Sequence, residues 1–419
     1  MSRLYLPDRY TRVEQKLLYA MDDLTGWQTP TNGAMEVDTS VQFNGHATTK
    51  WTVNSGATAS NFNKTSVHNL YGIQNVGFHV FVPSTNTLTT STSIIMFLND
   101  GVALRNIKSL KFWIDVATPN IPDETAGQWF YVGADINEIG TPLSSTTITQ
   151  LRLQVTRGAN SNPFTCYVSD LIWNWRCQPQ FIPIFDDSTA GQYSVAFDEW
   201  KSTGNYNIKS NIAYIDGGSR QISDAELQEI DADGWRILNH TQEISATLAE
   251  LSQEDQIATI SGCKSTLESI GLASGAKHLV YPGGIKNQEI VQSTITSGCI
   301  SGVAAAESGS VNFYENSPLG SYRYAYSIAR TTMDDGVSGD SEGVITNRLA
   351  AIDNAIKYGY TIVGMFHSCV ESSPTGNQTS RASLQALGAA IRRRIDLGLI
   401  ANPNYVDWFD NFDGKRIQS

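Results

Sequence analysis

Up to about Trp175, apolar and polar positions alternate in short runs that are separated by Gly, Asn, Ser and Thr. Examples are FHVFV at 78–82, LRLQV at 151–155 and CYVSDLIWNW at 166–175. Strict alternation is typical of strands that bury one face, and polar turns at this spacing are typical of antiparallel sheets. The pattern therefore predicts an all-β sandwich in the first half of the chain.

The closing run of this half resembles the last strand of a jelly-roll carbohydrate-binding module. The likeness lies in architecture rather than in motif. Such a module would bind sugars through exposed aromatic rings, and Trp27, Trp51 and Tyr71 are candidates for that contact. Because large aromatic side chains serve packing more often than binding, we expect each of them in the core rather than on the surface.

After residues 178–180 the pattern changes to apolar strands that alternate with helices. A capping box at 223–226 begins one helix, and another begins after Ser252 and ends before Gly271. Two further helices carry apolar stripes on one face. About seven apolar runs lie between these helices, and this order predicts a distorted (β/α)7 barrel with parallel strands.

Two different periods in a chain of 419 residues predict more than one domain, since a single core does not usually grow to that size. We assign residues 1–24 to an N-terminal attachment segment, 25–178 to a carbohydrate-binding-like β-sandwich and 179–419 to the barrel. The five cysteines are odd in number and lack CxxC spacing, which indicates reduced packing residues.

Charge and hydropathy exclude some partners. Acidic residues (41) exceed basic residues (29), and the net charge of −12 disfavours nucleic acid and anionic membranes as partners. The chain has no run of about 18 or more apolar residues, and its first residues lack the apolar core of a secretory signal. We therefore expect a protein that is made in the cytoplasm and does not insert into a membrane.

Polar side chains follow the apolar strands of the second half at the point where each strand ends. Asp186 and Asp187 follow FIPIF, His240 ends WRILNH, and His367 follows IVGMF. The carboxyl ends of parallel strands meet at one mouth of a barrel, so these groups should converge. A base, an acid and metal ligands in one place are the parts of metal-assisted hydrolysis of an amide or ester. Other residues at the ends of apolar runs of this half are Asp216, Pro282–Gly284 and Glu307.

The order of four short motifs is more specific than any one of them. IFDDS (184–188), LNHT (238–241), YPGG (281–284) and MFHS (365–368) follow one another along the chain. This order resembles the polysaccharide deacetylases of carbohydrate esterase family 4, whose fold is a distorted (β/α) barrel. The resemblance covers roughly residues 181–410.

The resemblance implies a role for each matched residue. By position, Asp186 would be the catalytic base and His367 the general acid. Asp187 and His240 would bind a divalent metal ion, zinc or a similar one. Gly283 falls where the main chain of the family donates a hydrogen bond to the oxyanion. Members of the family remove acetyl groups from N-acetylated or O-acetylated sugars.

The chain departs from the family pattern at the metal site. The family has a second ligand histidine four residues after the first, and here that position is Ile244. A catalytic zinc site usually has three protein ligands, so a bare pair of Asp187 and His240 would bind zinc weakly. Glu243 and His278 are candidates for a substitute ligand.

The proline turn departs from the pattern as well. Val280 stands where the family has an arginine, and Gly283 stands where a turn tyrosine is expected, so the substrate geometry should differ. We place Tyr281 with Gly283 among the substrate-binding candidates, and packing beneath the turn is the alternative for Tyr281. The stretch 334–336, Asp-Asp-Gly, is interpreted as a simple turn.

Together these features predict a carbohydrate deacetylase that acts on an acetylated bacterial surface polysaccharide. An extracellular glycan as the target of a chain without a secretory signal favours a bacteriophage tail fibre or tailspike protein, released by lysis. For such a protein, a homotrimer and contacts with other virion proteins are natural expectations.

Two alternatives stay open. The first is a glycan-binding receptor module whose barrel has lost catalysis, with Ile244 marking the loss. The second is a depolymerase on the same fold that cleaves glycosidic bonds without a metal. That reaction needs two acids on either side of the bond, and Asp186 with Asp216 or Glu307 are the candidates.

Overall fold

The computed structural model describes residues 16–43, 45–71, 73, 75–83, 93–111, 129–135, 145, 147–157, 162–174, 179–218, 221–242, 247–305, 326, 328–335, 341–358 and 361–410. The chain divides into two compact units at residue 177. The described residues from 16 to 174 belong to the N-terminal unit, and those from 179 to 410 belong to the C-terminal unit. No helix in these described ranges is long and apolar enough to cross a membrane.

The N-terminal unit consists of two antiparallel sheets. In chain order its strands are β1 (Lys16–Tyr19), β2 (Gly33–Phe43), β3 (His46–Val53), β4 (Ala59–Asn69), β5 (Asn75–Phe81), β6 (Ser93–Asn99), β7 (Leu104–Lys111), β8 (Trp129–Asp135), β9 (Thr147–Thr156) and β10 (Phe164–Trp173). One sheet has the order β2-β3-β10-β5-β8, and the other has the order β4-β9-β6-β7. Alternate side chains of both sheets, among them Trp51, Phe62, Phe78 and Leu153, form one core, so the predicted β-sandwich is confirmed.

The sandwich begins earlier in the chain than residue 25. β1 pairs antiparallel with β10, with Lys16 opposite Trp173, and Met21 lies in the sandwich core. The separate segment expected over residues 1–24 therefore does not extend to its last nine residues, and residues 1–15 lie outside the described ranges. The physical reason is that β3 covers only the first half of the β10 edge, and β1 supplies backbone partners for the rest.

The aromatic candidates of the sandwich separate into two kinds. Trp27 and Trp51 are buried in the sandwich core, as their size predicts. Tyr71 is 86% exposed, so the expectation of a core position fails there. The described cysteines, which are Cys166, Cys263, Cys299 and Cys369, are buried and form no disulfide.

The C-terminal unit is a closed barrel of seven parallel strands, β11 to β17 in chain order. The predicted parallel barrel after a β-sandwich is therefore observed. Its elements are β11 (Gln180–Phe185), α1 (Asp198–Trp200), β12 (Asn211–Asp216), α2 (Asp224–Ala232), β13 (Arg236–Gln242), α3 (Gln253–Ser269), α4 (Ala273–Ala276), β14 (His278–Val280), α5 (Gln288–Thr296), β15 (Ser301–Ala305), β16 (Ile328–Thr332), α6 (Ser341–Tyr358), β17 (Thr361–Phe366), β18 (Ser368–Val370), β19 (Gln378–Ser380), α7 (Arg381–Asp396) and α8 (Tyr405–Asp410).

Helix α2 begins where its sequence predicts. The Ser223 side chain accepts a hydrogen bond from the Glu226 N–H, and the Glu226 side chain accepts one from the Ser223 N–H. This reciprocal cap satisfies two donors that the first helical turn leaves without partners. Helix α3 has a similar start, since the Ser252 side chain accepts from the Asp255 N–H.

Aromatic packing fixes the ends of two neighbouring strands. Phe185, the last residue of β11, lies opposite Phe366, the last residue of β17, and their rings stack at 4.7 Å. Both rings belong to a core cluster that also contains Trp200 and Trp235. Burying a phenylalanine side chain contributes about 1.5–3 kcal/mol. The two residues that follow these rings, one on each strand, are thereby held at the mouth of the barrel.

Candidate active site

Asp186 lies directly after β11 and is paired with an arginine from another strand. Arg330 Nη1, on β16, donates to both carboxylate oxygens of Asp186 at 2.7 and 2.8 Å. The two side chains are only 1% and 5% exposed. A buried pair of this kind compensates two charges that would each be costly alone, and it fixes the direction of the carboxylate.

His367 lies directly after β17 and is paired with Asp334. Its Nδ1–H donates to Asp334 Oδ2 at 2.6 Å, and its backbone N–H donates to Asp334 Oδ1 at 2.9 Å. This hydrogen bond to the buried carboxylate raises the pKa of His367 above its usual value. Because Nδ1 is occupied, Nε2 is the ring nitrogen that can exchange a proton with a substrate.

Asp334 is therefore more than the turn residue that the Asp-Asp-Gly stretch suggested. Its carboxylate is buried, and it also accepts from Thr379 Oγ1 at 3.4 Å. The neighbouring Asp335 forms a buried ion pair with Arg348 of α6. A turn composition was a poor guide here because tertiary contacts use both carboxylates.

Asp187 and His240 form the third pair of the site. His240 Nε2 lies 3.5 Å from Asp187 Oδ1, and His240 Nδ1–H donates to the Val280 carbonyl oxygen at 2.7 Å. The facing imidazole lowers the pKa of Asp187. Burial by itself lowers the pKa of His240, but Asp187, the charge of Asp186 and the Val280 carbonyl together raise it above the usual value.

Backbone strain is concentrated beside this pair. Asp187 has φ 77°, and Thr241, which follows His240, has φ 71°. Positive φ is uncommon for residues other than glycine, and for a β-branched residue such as threonine it is an outlier. Strain of this kind costs on the order of 1–3 kcal/mol per residue and clusters at functional sites. The main chain is thus held in an unfavourable conformation where Asp187 and His240 face each other.

The negative charges of Asp186 and Asp187 act on both imidazoles of the site. The pKa of His367 is raised first by its bond to Asp334, and the negative charges of Asp186 and Asp187 raise it further. The same two carboxylates also raise the pKa of His240. The structure therefore brings together Asp186, Asp187, His240 and His367, which lie far apart in the sequence.

The donor atoms of Asp187 and His240 suit two positions around a metal ion. Two ligands of a tetrahedral zinc ion lie roughly 3.3 Å apart, given bonds of about 2.0–2.1 Å. The 3.5 Å between Asp187 Oδ1 and His240 Nε2 suits two such positions. Across the described ranges, however, no group of three or more His, Cys, Asp or Glu side chains is arranged to hold a metal. Asp187 and His240 thus supply two of the three protein ligands that a catalytic zinc site usually has.

Of the two substitute ligands, only His278 lies among the described residues, and it does not complete the site. His278 lies at the start of β14, where its Nδ1 is 2.8 Å from Ser301 Oγ and its ring packs edge-on against Tyr405 and Phe409. That is the end of the strand opposite to the mouth. Glu243 and Ile244 lie outside the described residues.

Tyr281 and Gly283 occupy different environments. The Tyr281 side chain is fully buried in a small apolar cluster with Ile290, and its hydroxyl donates to the Tyr326 carbonyl at 3.0 Å. It packs beneath the turn and does not line an open sugar site, so its place among the substrate-binding candidates is corrected. Gly283 is exposed and has φ 64°, a conformation that favours glycine.

Asp216 is engaged at the rim of the barrel. Its carboxylate accepts from Thr266 Oγ1 at 2.8 Å, from Tyr214 at 3.2 Å and from Gln242 at 3.4 Å. This carboxylate thus has three partners within the chain, whereas Asp186 is paired with Arg330. Glu307 lies outside the described residues.

Comparison with known proteins gives likenesses of structure only. No protein-family model matches the chain, and no curated protein matches it significantly in sequence. The chain is similar to Streptococcus pyogenes deacetylase PplD in complex with acetate, with 22% identity, over 30% of this chain and 55% of that one, at a TM-score of 0.27. It is similar to a family 4 carbohydrate esterase from Streptomyces lividans in complex with acetate, with 12% identity, over 54% and 92%, at 0.34.

A third similar structure is a carbohydrate-binding module of the β-sandwich superfamily. The identity is 15%, the likeness covers 38% of this chain and 61% of that one, and the TM-score is 0.28. The chain thus spans less than two thirds of the length of this module and of the streptococcal deacetylase.

Proposed function

We propose that the protein hydrolyses N- or O-linked acetyl groups of a carbohydrate at the mouth of the barrel. The observation that carries the proposal is that a buried pair, Asp186 with Arg330, and a partly exposed pair, His367 with Asp334, lie at the ends of adjacent strands. Transfer of an acetyl group to water requires a base that takes a proton from water and an acid that protonates the leaving atom. A carboxylate and an imidazole so placed supply these two roles.

In the proposed first step, a water oxygen attacks the acetyl carbonyl carbon while one water proton passes to the Asp186 carboxylate. A C–O bond forms, and the electron pair of the carbonyl π bond moves to its oxygen. Arg330 keeps the carboxylate directed at the water. The turn at Gly283 is the proposed donor of a backbone N–H to the developing oxyanion, because glycine allows a close approach.

In the proposed second step, the bond between the acetyl carbon and the sugar nitrogen or oxygen breaks. His367 gives its Nε2 proton to the leaving atom, while its Nδ1–H stays hydrogen-bonded to Asp334. The electron pair on the oxyanion re-forms the C=O bond as the bond to the sugar breaks, so the products are acetic acid, which loses its proton to solvent to give acetate, and a free amine or hydroxyl on the sugar. Asp186 then releases its proton to solvent, and His367 takes one up, which restores the starting state.

A divalent cation, zinc or a similar ion, is part of the proposal. Asp187 and His240 would hold it, and when bound it would polarise the acetyl carbonyl. The Nδ1–H bond of His240 to the Val280 carbonyl fixes the tautomer in which Nε2 is the ligand atom. With two protein donors the ion would be held more weakly than at a site with three.

The test is acetate release from acetylated bacterial capsule and from an N-acetylated oligosaccharide, with added zinc, by the purified full chain. We expect release by the wild type and its loss in Asp186→Asn and Asp187→Ala. Asp216→Asn is the matched control, because it removes a nearby carboxylate that the reaction does not use. Release that is equal in wild type and Asp186→Asn would contradict the proposal.

The same samples distinguish the two alternatives. New reducing ends without acetate, lost in both Asp186→Asn and Asp216→Asn, would indicate glycosidic cleavage by two acids. Binding of the capsule without either product would indicate a receptor module, the alternative that the presence of only two predicted metal ligands favours. The Asp216 carboxylate accepts hydrogen bonds from three side chains of the protein. Glycosidic cleavage by Asp186 and Asp216 therefore has less support.

The biological setting is proposed on sequence grounds. A chain that is rich in Ser, Thr, Asn and Gly, with a β-rich first half, suits a bacteriophage tail fibre or tailspike protein that acts on acetylated surface polysaccharide. A homotrimer in solution is the assembly proposed for it. Light scattering of the purified chain measures that state, and a monomer would count against the virion setting without affecting the proposed reaction.

A further inference from the structure

We infer that Gln192 is a positioning residue that ties the backbone at the base, Asp186, to the backbone at the acid, His367. The catalytic part of this inference rests on the proposed function. The bridge itself is a feature of the fold and can be tested without a substrate.

The bridge consists of one side-chain nitrogen and two carbonyl oxygens. Gln192 Nε2 donates to the backbone carbonyl oxygen of Asp186 and, at 3.1 Å, to that of His367. An amide nitrogen carries two hydrogens and no charge, so it can satisfy both carbonyls at once in a buried place. The opposite orientation of the amide would set its oxygen against two carbonyl oxygens, so the chemistry fixes this one.

The bridge lies where the ladder between β11 and β17 stops. The paired register of these strands ends at Phe185 opposite Phe366, and the Asp186 N–H donates to the Phe366 carbonyl at 2.8 Å. Beyond that bond the paired register of the two strands does not continue. Gln192 supplies the next link between them, and it joins the two residues that the proposed reaction uses.

The local fold brings Gln192 to this position. Gln192 begins a π-helical turn, Gln192–Phe197, that is anchored in the barrel core by Val195 and Phe197. Just before it, Gly191 lies so close to β18 that a Cβ atom there would be 1.8 Å from the Cys369 carbonyl oxygen. Only glycine permits this approach. Irregular π turns of this kind are frequent at functional sites.

The consequence concerns the distance between base and acid. Asp186 and His367 must act on one acetyl group from fixed positions, and a displacement of about 1 Å at a reacting group can lower the rate on the order of 100-fold. Arg330 and Asp334 fix the two side chains. Gln192 fixes the two backbones relative to each other, which neither ion pair does.

The test compares Gln192→Met and Gln192→Glu with Val195→Ala. Methionine matches the length of glutamine without a donor, and ionised glutamate offers only acceptors to the two carbonyls. Val195→Ala is the matched control, because it weakens the packing of the same turn and keeps the amide. The readouts are kcat and KM for acetate release from an N-acetylated oligosaccharide and hydrogen exchange of the full chain in peptides that contain Asp186 or His367.

We expect kcat to fall by about 10- to 100-fold in both Gln192 variants with little change in KM. Exchange of the Asp186 and His367 amides should speed up in both, and in Val195→Ala it should stay near the wild-type rate. If the wild type releases no acetate, the proposed function fails, and faster exchange at both amides still supports the bridge. Exchange and kcat that match the Val195→Ala values would overturn the inference.

Discussion

Arg330 of β16 donates from one nitrogen, Nη1, to both carboxylate oxygens of Asp186, which directly follows β11. The polysaccharide deacetylases that the sequence resembles have an arginine before the proline turn, and Val280 stands at that position here. In the fold, a guanidinium reaches the carboxylate from a different strand. The Val280 carbonyl, in turn, accepts from the metal-ligand candidate His240.

Removal of Arg330 should destabilise the barrel and abolish acetate release. Arg330→Met leaves the Asp186 carboxylate buried without its partner, and breaking a buried ion pair in this way lowers the free energy of unfolding by about 3–5 kcal/mol. The double variant Arg330→Met with Asp186→Asn removes both charges and should recover much of that loss while staying inactive. Chemical denaturation measures the free energies, and a single variant as stable as the wild type would refute the expectation.

Asp334→Asn should move the alkaline limb of the activity profile to lower pH. The bond to the Asp334 carboxylate raises the pKa of His367, and a general acid works only while it is protonated. Without that carboxylate the pKa of His367 falls, so the proton is lost at a lower pH. The measurement is kcat/KM against pH. Thr379→Val, which removes a neutral partner of Asp334 at 3.4 Å, is the control and should leave the limb nearly in place.

The convergence of Asp186, Asp187, His240 and His367 could be predicted from the sequence, because each stands at or near the end of an apolar run and parallel strands end at one mouth. Their partners could not be identified in this way. Arg330 is 144 residues from Asp186, and Asp334 is 33 residues from His367.

The misjudged positions have local causes. Asp334 begins an Asp-Asp-Gly stretch whose composition indicates a turn, and nothing in that stretch shows that its carboxylate accepts a hydrogen bond from the His367 imidazole. Tyr281 is the first residue after a short strand, where one residue of register decides between the core and the mouth. β1 lies in the stretch that the sequence assigns to the attachment segment, because its four residues carry too little periodicity to predict a strand.

Activity should depend on zinc, the zinc should be bound weakly, and one substitution should tighten its binding. Acetate release should fall after dialysis against a chelator and return with added zinc, since only Asp187 and His240 among the described residues are placed as ligands. Ile244→His places a histidine where the polysaccharide deacetylases that the sequence resembles have their second ligand histidine, and we expect it to tighten zinc binding by at least about tenfold, or roughly 1.4 kcal/mol. Calorimetry measures the affinity. The same affinity in Ile244→His and in a control Ile244→Leu would exclude position 244 as a ligand.

His79 should make the stability of the sandwich depend on acid. Its side chain is fully buried in β5, stacked on Phe43 at 4.3 Å, and burial lowers its pKa from 6.5 to about 3. Between these two values the unfolded chain binds a proton that the folded chain does not. The free energy of unfolding therefore falls as the pH drops below about 6.5, by up to roughly 1.4 kcal/mol per pH unit, and is unaffected by this group at higher pH.

His79→Gln tests this because glutamine keeps polar character and similar size without taking up a proton. Unfolding in denaturant is monitored by hydrogen exchange in peptides from β5 and β10. From pH 6.5 to pH 4, the free energy of unfolding should fall more steeply in the wild type than in the variant. The variant's own cost at pH 8, where neither side chain carries charge, is the reference for its altered packing. Equal slopes for the two proteins would mean that His79 is protonated in the folded sandwich, in conflict with its burial beside Phe43.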